Sequence, residues 1–129
     1  MKMFQQVMSA CVERFGNDQV QQIGENQLEI AMVNDAGEPM FPIYVGFHNA
    51  NDLEFTAILF QVPEADEKAF MAQCNTMNTQ YPMIRFYMES GYLCAAMDLL
   101  LYTEDVADVM SMLTALLQVI AANLPALLG

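Results

Sequence analysis

Residues 84–101, IRFYMESGYLCAAMDLLL, constrain the fold of this chain more than any other stretch. Ser90-Gly91 reads as a tight hairpin turn, with glycine supplying a backbone angle that other residues resist. That turn sets Glu89 opposite Tyr92 and Phe86 opposite Ala95. Ile84, Phe86, Met88, Leu93, Ala95, Met97 and Leu99 then share one face, and all are apolar. Met83, Arg85, Tyr87 and Glu89 share the other with Tyr92, Cys94, Ala96 and Asp98. A slip of one residue would bury the charges, so the pattern pins its own register. Part of the chain is thereby committed to an antiparallel sheet.

The rest of the chain supplies partners for that hairpin. Phe4, Val7, Met8, Cys11, Val12 and Phe15 recur at helical spacing, with Gly16 as the stop. A polar connection, NDQVQQIGEN, follows. Three alternating segments come next: QLEIAMVN, PIYVGFHN and LEFTAILFQ, separated by Asp35-Ala36-Gly37 and by Asn49-Ala50-Asn51-Asp52. Such short links favour an antiparallel meander. Pro63 opens a second helix, where its missing N–H is harmless. Phe70, Met71, Cys74 and Met77 form its expected buried stripe, and Tyr81-Pro82 ends it. Thr103 is the expected N-cap of the last helix, with Glu104 and Asp105 at the positive end of its dipole. The expected class is α+β: helix, three antiparallel strands, helix, two-stranded hairpin, helix, in a single domain over residues 1–129.

Several function classes fall to composition. The 129 residues carry 16 acidic and 4 basic side chains, a formal charge of −12, so no basic stripe exists to displace counterions from nucleic acid. Anionic membrane surfaces are disfavoured for the same reason. Cys11, Cys74 and Cys94 are dispersed and odd in number, which suggests neither a disulfide framework nor a zinc knuckle and fits a reducing cytoplasm. VMSAC (7–11) faintly resembles a lipoprotein cleavage site, but MKMFQQ before it lacks the apolar run of ~7–15 residues that export needs. From Val109 to Gly129 no residue is charged, which is membrane-span length. Ser111, Thr114, Gln118, Asn123 and Pro125 interrupt that stretch, its flank is acidic and no Lys or Arg anchors its end. A buried or interface helix is the better reading.

The element order and three segments together resemble the YbjN-domain family, described as bacterial sensory-transduction regulators and similar in fold to class I type III secretion chaperones. The segments are VPEADEKAFMAQCNTMN (62–78), with Asn75 and Asn78 matching the family's spaced asparagines, the hairpin, and TEDVADVMSMLTALLQVIAANLPALL. The resemblance implies a compact α+β domain, homodimeric, that acts by binding protein rather than by catalysis.

No reacting constellation competes with that expectation. His48 is the sole histidine, and nothing local places it beside a nucleophile. Most carboxylates occupy turns or helix starts, where they stay solvated rather than forming an acid–base pair. NDAGEP lacks calcium-loop spacing, and no glycine-rich loop opens a helix after a strand. No catalytic residue, metal or cofactor is expected. Asn75 and Asn78, one helical turn apart, read as helix-end hydrogen bonders more readily than as ligand contacts. Twelve methionines suit core filling, with Met112 the best candidate for an outward position. Arg85, Tyr87, Tyr92 and Asp98 share the hairpin's polar face and are the candidate partner-binding residues, with Arg85 diagonal to Asp98. On the last helix, Val106, Val109, Met110, Leu113, Leu116, Leu117, Ile120 and Leu124 form the main apolar face. Met112, Ala115, Val119 and Ala122 form a second stripe, the candidate dimer contact. The sequence therefore reads as a non-enzymatic, chaperone-like regulatory module that binds itself and an unidentified protein or peptide. A small-molecule sensor with a pocket between sheet and helices is the alternative.

Overall fold

A computed structural model describes residues 2–101 and 105–129. Ten elements follow one another: α1 (Lys2–Phe15), β1 (Val20–Gly24), β2 (Gln27–Val33), β3 (Pro39–Asn49) and β4 (Asp52–Gln61); then a 3-10 turn (Glu64–Asp66), α2 (Glu67–Gln80), β5 (Arg85–Glu89), β6 (Tyr92–Leu100) and α3 (Val106–Leu128). The six strands form one sheet in the order β1-β2-β3-β4-β6-β5, antiparallel throughout. The α+β class is as expected, but the meander has four strands rather than three. The segment taken as a polar connection contains β1, which pairs Val20 with Ile30 and Gln21 with Glu29.

The punctuation of the chain does its work at a few positions. Gly16 takes a φ of 93° and donates its N–H to the Val12 carbonyl, closing α1 with a left-handed residue that costs other side chains dearly. Ser90 and Gly91, at φ 51° and 83°, make the turn with two positive angles whose twist matches the flanking strands. The register follows as expected, with Glu89 opposite Tyr92 and Phe86 opposite Ala95. Asp105 caps α3, its Oδ1 accepting from Ala107 N at 2.9 Å. Thr103 and Glu104, expected at that cap, lie outside the described residues.

One face of the sheet is sealed. Leu28, Ile30, Ile43, Val45, Leu53, Phe55, Ala57, Phe86, Leu93 and Ala95 alternate onto it and are buried. Met3, Phe4, Val7 and Cys11 of α1 and Val109, Leu113, Leu116, Ile120 and Leu127 of α3 close the same core. The Phe4 ring meets Phe47 edge-on, and Arg14 donates to Thr114 Oγ1 between the two helices. By length and composition α3 could cross a membrane, with a mean hydropathy of 1.7, yet its main apolar stripe is turned into this core.

Helix α2 sits differently, against the β5 edge. Cys74 and Met77 are buried and Phe70 half-buried against Phe60. Met71, expected in that stripe, is 52% exposed. An edge-docked helix has a narrow contact, and Met71 falls outside it. Asn78 explains the docking: its Nδ2 donates to the Phe86 carbonyl at 3.0 Å and its Oδ1 accepts from the Phe86 N–H at 2.6 Å. One side-chain amide thus satisfies both backbone groups that Phe86 would otherwise present to a further strand.

Candidate functional site

The opposite, outer face of the sheet carries the polar half of each strand, and among the described residues no helix seals it. The registers align its residues in rows. Glu29, Tyr44, Thr56, Ala96 and Arg85 succeed one another across β2, β3, β4, β6 and β5. Gln27, Gly46, Glu54 and Asp98 form the row on one side, and Ile58, Cys94 and Tyr87 a shorter row on the other. The centre of the face is low because Gly46, Thr56 and Ala96 are small, and tyrosines stand on both sides of it.

Arg85 organises the β5 side of this surface. Its Nη2 lies 3.2 Å from Asp98 Oδ2 and 3.4 Å from Glu54 Oε2, and its guanidinium carbon is 5.7 Å from the centre of the Tyr87 ring. Glu54 and Asp98 are directly opposed across β4 and β6. Two like charges at that spacing repel, and the guanidinium between them removes the conflict. Thr56 Oγ1 donates to Glu54 Oε1 at 2.8 Å and holds the carboxylate in place. The expected Arg85–Asp98 diagonal contact is present. Glu54 was not among the candidate residues, because it reaches Arg85 only through the order β4-β6-β5, which no local pattern encodes.

Two hollows flank Thr56. One, of about 180 Å³, is lined by Ile23, Tyr44, His48, Glu54 and Thr56 among others. The second, of about 220 Å³, is lined by Thr56, Ile58, Tyr87, Glu89, Tyr92 and Cys94 together with Ser90. Three of the four candidate partner-binding residues therefore gather on the hairpin side: Tyr87 and Tyr92 in the second hollow, and Arg85 beside Tyr87. Asp98 lies one row further along, held by Arg85. Tyr92 is 40% exposed. Cys94 and Ala96, on the same face, are nevertheless buried, because each is a small side chain flanked in register by larger ones: Tyr87 and Ile58 for Cys94, Arg85 and Thr56 for Ala96.

Two phenols and three thiols are shifted upward, toward their neutral forms. Burial, with Glu29 beside it, raises the Tyr44 phenol above its ordinary value. Burial raises Tyr87 as well; Cys94, Glu89 and Glu54 add to that and Arg85 opposes it. The Cys94 thiol is pushed up to about 11 by burial first and then by Glu89 and Cys74, and Cys11 to about 11 by burial against the pull of Arg14. Burial raises Cys74 too. Protonated thiols are poor nucleophiles. His48 lines the first hollow, whose walls contain no cysteine. Among the described residues no group of three His, Cys, Asp or Glu side chains could hold a metal ion. This face presents oriented carboxylates, aromatic rings and shallow relief.

The candidate dimer residues lie on the flank of α3. Met112, Ala115 and Val119 are half-buried and Ala122 is exposed. Met112 and Val119 reach the core from the side, and Met112 also borders a hollow with Met83, Leu100 and Leu101. Leu100 and Met83, at 65% and 60% exposed, extend that apolar ground. A separate groove of about 310 Å³ runs between α2 and the end of α3, lined by Ala72, Gln73, Thr76, Met77, Asn123, Ala126 and Leu127. Asn123 there donates to Tyr81 Oη at 3.2 Å.

Comparison with solved structures finds the same fold in secretion chaperones. A chain of the ExsC-ExsE complex superposes with a TM-score of 0.60 at 13% identity, over 88% of this chain and 84% of that one. The Yersinia pestis type III secretion chaperone SycH, in complex with a stable fragment of YscM2, gives 0.59 at 10% identity, over 92% of this chain and 98% of that one. At such identities the likeness is one of fold. No curated protein matches by sequence. The family model described as "YbjN: Putative bacterial sensory transduction regulator" matches residues 19–128, from just before β1 to the end of α3, and the chain belongs to the YbjN family.

Proposed function

We propose that the chain is a non-enzymatic interaction module, chaperone-like or regulatory, that acts in the cytoplasm as a homodimer and binds a protein or peptide through the outer face of its sheet. The observation that carries this reading is the uncovered row from Glu29 to Arg85, ordered by ion pairs and rings. The chaperone fold and the YbjN family support it, as both solved neighbours are complexes with a protein partner. Arg85, Tyr87, Tyr92 and Asp98 form the partner contact, joined by Glu54. Met112, Ala115, Val119 and Ala122 form the self-contact, where apolar ground continues to Leu100 and Met83.

The two halves are tested separately. Sedimentation at micromolar concentration is expected to give a dimer, and Met112→Glu with Val119→Glu a folded monomer. A wild-type monomer removes the self-contact. For the partner, a photo-crosslinking residue at position 92 is expected to capture the protein that the wild-type chain retains from its host. Retention undiminished in a folded Tyr87→Ala, Tyr92→Ala variant would remove the site. The groove between α2 and α3 favours the second reading, a small-molecule sensor. The groove lies between two helices rather than between sheet and helices. That reading predicts thermal stabilisation by a metabolite, lost in Thr76→Phe.

A further inference from the structure

Arg85 shows what chemistry the outer face is built to hold. A guanidinium sits there between two carboxylates and against a tyrosine ring, the combination that recognises arginine or lysine. The pairing of a carboxylate with a tyrosine recurs twice more on the face, with no cation of the chain supplied. Glu29 stands opposite Tyr44 on β2 and β3, and Glu89 opposite Tyr92 across the hairpin. Arg85 pairs with both Glu54 and Asp98, and the remaining basic side chains, Lys2, Arg14 and Lys68, belong to helices. Each of these pairings adjoins one of the two hollows that meet at Thr56.

Charge selects among the occupants. Glu29, Glu54, Glu89 and Asp98 face outward against Arg85 alone, so a second copy laid on this face would oppose like charges. Nucleic acid and anionic lipid carry the wrong sign. Geometry then sets the spacing. Tyr44 and Tyr87 lie on β3 and β5, three strand separations or about 14 Å apart across the sheet and two residues or about 7 Å apart along it, so about 16 Å in all, a gap that two long basic side chains can close. In an extended chain, side chains four residues apart point the same way and stand about 13 Å apart.

Resting on the reading of this face as the partner site, we propose that it takes an extended, positively charged segment of the partner protein, which crosses the strands and seats two basic side chains four residues apart, one beside Tyr44 and Glu29 and one beside Tyr87, Tyr92 and Glu89. Arg85 stands beside the second seat, against Tyr87, and tunes the affinity by competing for Glu54 and Asp98.

The probe is a capped peptide of nine residues with arginine at the third and seventh positions and serine and threonine elsewhere, titrated into the full chain and followed by amide chemical shifts. Shifts are expected along the Glu29–Arg85 row, with affinity falling as salt rises. Glu29→Gln, Glu54→Gln and Glu89→Gln together are expected to weaken binding about tenfold. A control losing the same charge elsewhere (Glu13→Gln, Asp18→Asn and Glu64→Gln) should change it less than about twofold. Arg85→Met should strengthen it about threefold, a gain that damage to the fold does not produce. Moving the second arginine to the sixth position, which points it away from the sheet, should cost most of the affinity. Equal losses in the face and control variants, or shifts scattered over the molecule, would overturn the proposal by reducing it to attraction toward a −12 chain. Capture of the host partner through position 92, unaffected by the three glutamines, would overturn it too, yet leave the site standing. Peptide binding on the row together with a host partner crosslinked elsewhere would support the cation chemistry and defeat the site's assignment.

Discussion

Along β4, Leu53, Phe55, Ala57 and Leu59 turn to one side and are buried, whereas Glu54, Thr56 and Ile58 turn to the other and stay half-buried. Both sets come from one strand with the same pairing, so backbone hydrogen bonding cannot account for their difference. Cover does. Helices α1 and α3 close the first face into a single core, and the second is left to side chains that satisfy one another within the sheet. Stability is concentrated on one side, which leaves the other free to vary without loss of the fold. Adjacent residues then provide the sharpest contrast. Phe55→Ala empties a fully buried aromatic site and should cost about 3–5 kcal/mol. Thr56→Ala, one residue on, should cost under about 1 kcal/mol, since it removes a half-buried hydroxyl and one bond to Glu54. Urea unfolding of both variants checks this, and equal losses would mean that the outer face is covered in solution.

The two edges of the sheet differ as the two faces do. At β5, Asn78 occupies both backbone groups of Phe86; at β1, Gln21, Gln22 and Ile23 remain exposed. Asn78→Ala leaves a part-buried N–H and carbonyl unpaired, which should cost about 1–3 kcal/mol. Amide exchange at Phe86 should quicken more than at Leu93 in the adjacent strand. Unchanged exchange would show that α2 holds the edge by packing alone.

These contrasts also account for what could be read from the sequence. The hairpin was legible because Ser90-Gly91 and the flanking charges leave one register open, and the main stripe of α3 because its spacing is regular. Strand β1 was not, since VQQIG has two glutamines in succession and no alternation; it exists because β2 offers it an edge. Met71 was misplaced because the expected stripe assumed a helix lying flat on a sheet, while α2 docks on a strand edge. Asn78 was read as a helix-end hydrogen bonder, but its partner is a strand eight residues on. Half of the candidate site was visible in the alternation of Arg85, Tyr87, Tyr92 and Asp98. Glu54, Glu29 and Tyr44 joined it only when the strand order brought β2, β3 and β4 into line with β5.

Arg85→Met is the smallest expected effect on stability and separates the faces in a different way. Arg85 is 55% exposed, and its two carboxylate partners are 34% and 57% exposed, so solvent screens both contacts. The loss should stay below about 1 kcal/mol, and its origin is specific: Glu54 and Asp98 remain opposed across the strands with no charge between them. Raising the salt concentration should therefore shrink the difference between variant and wild type, whereas salt should leave the gap between Phe55→Ala and wild type nearly unchanged. A salt-independent loss at position 85 would mean that the arginine stem contributes by packing over Ala96, and that the outer face bears part of the fold's stability after all.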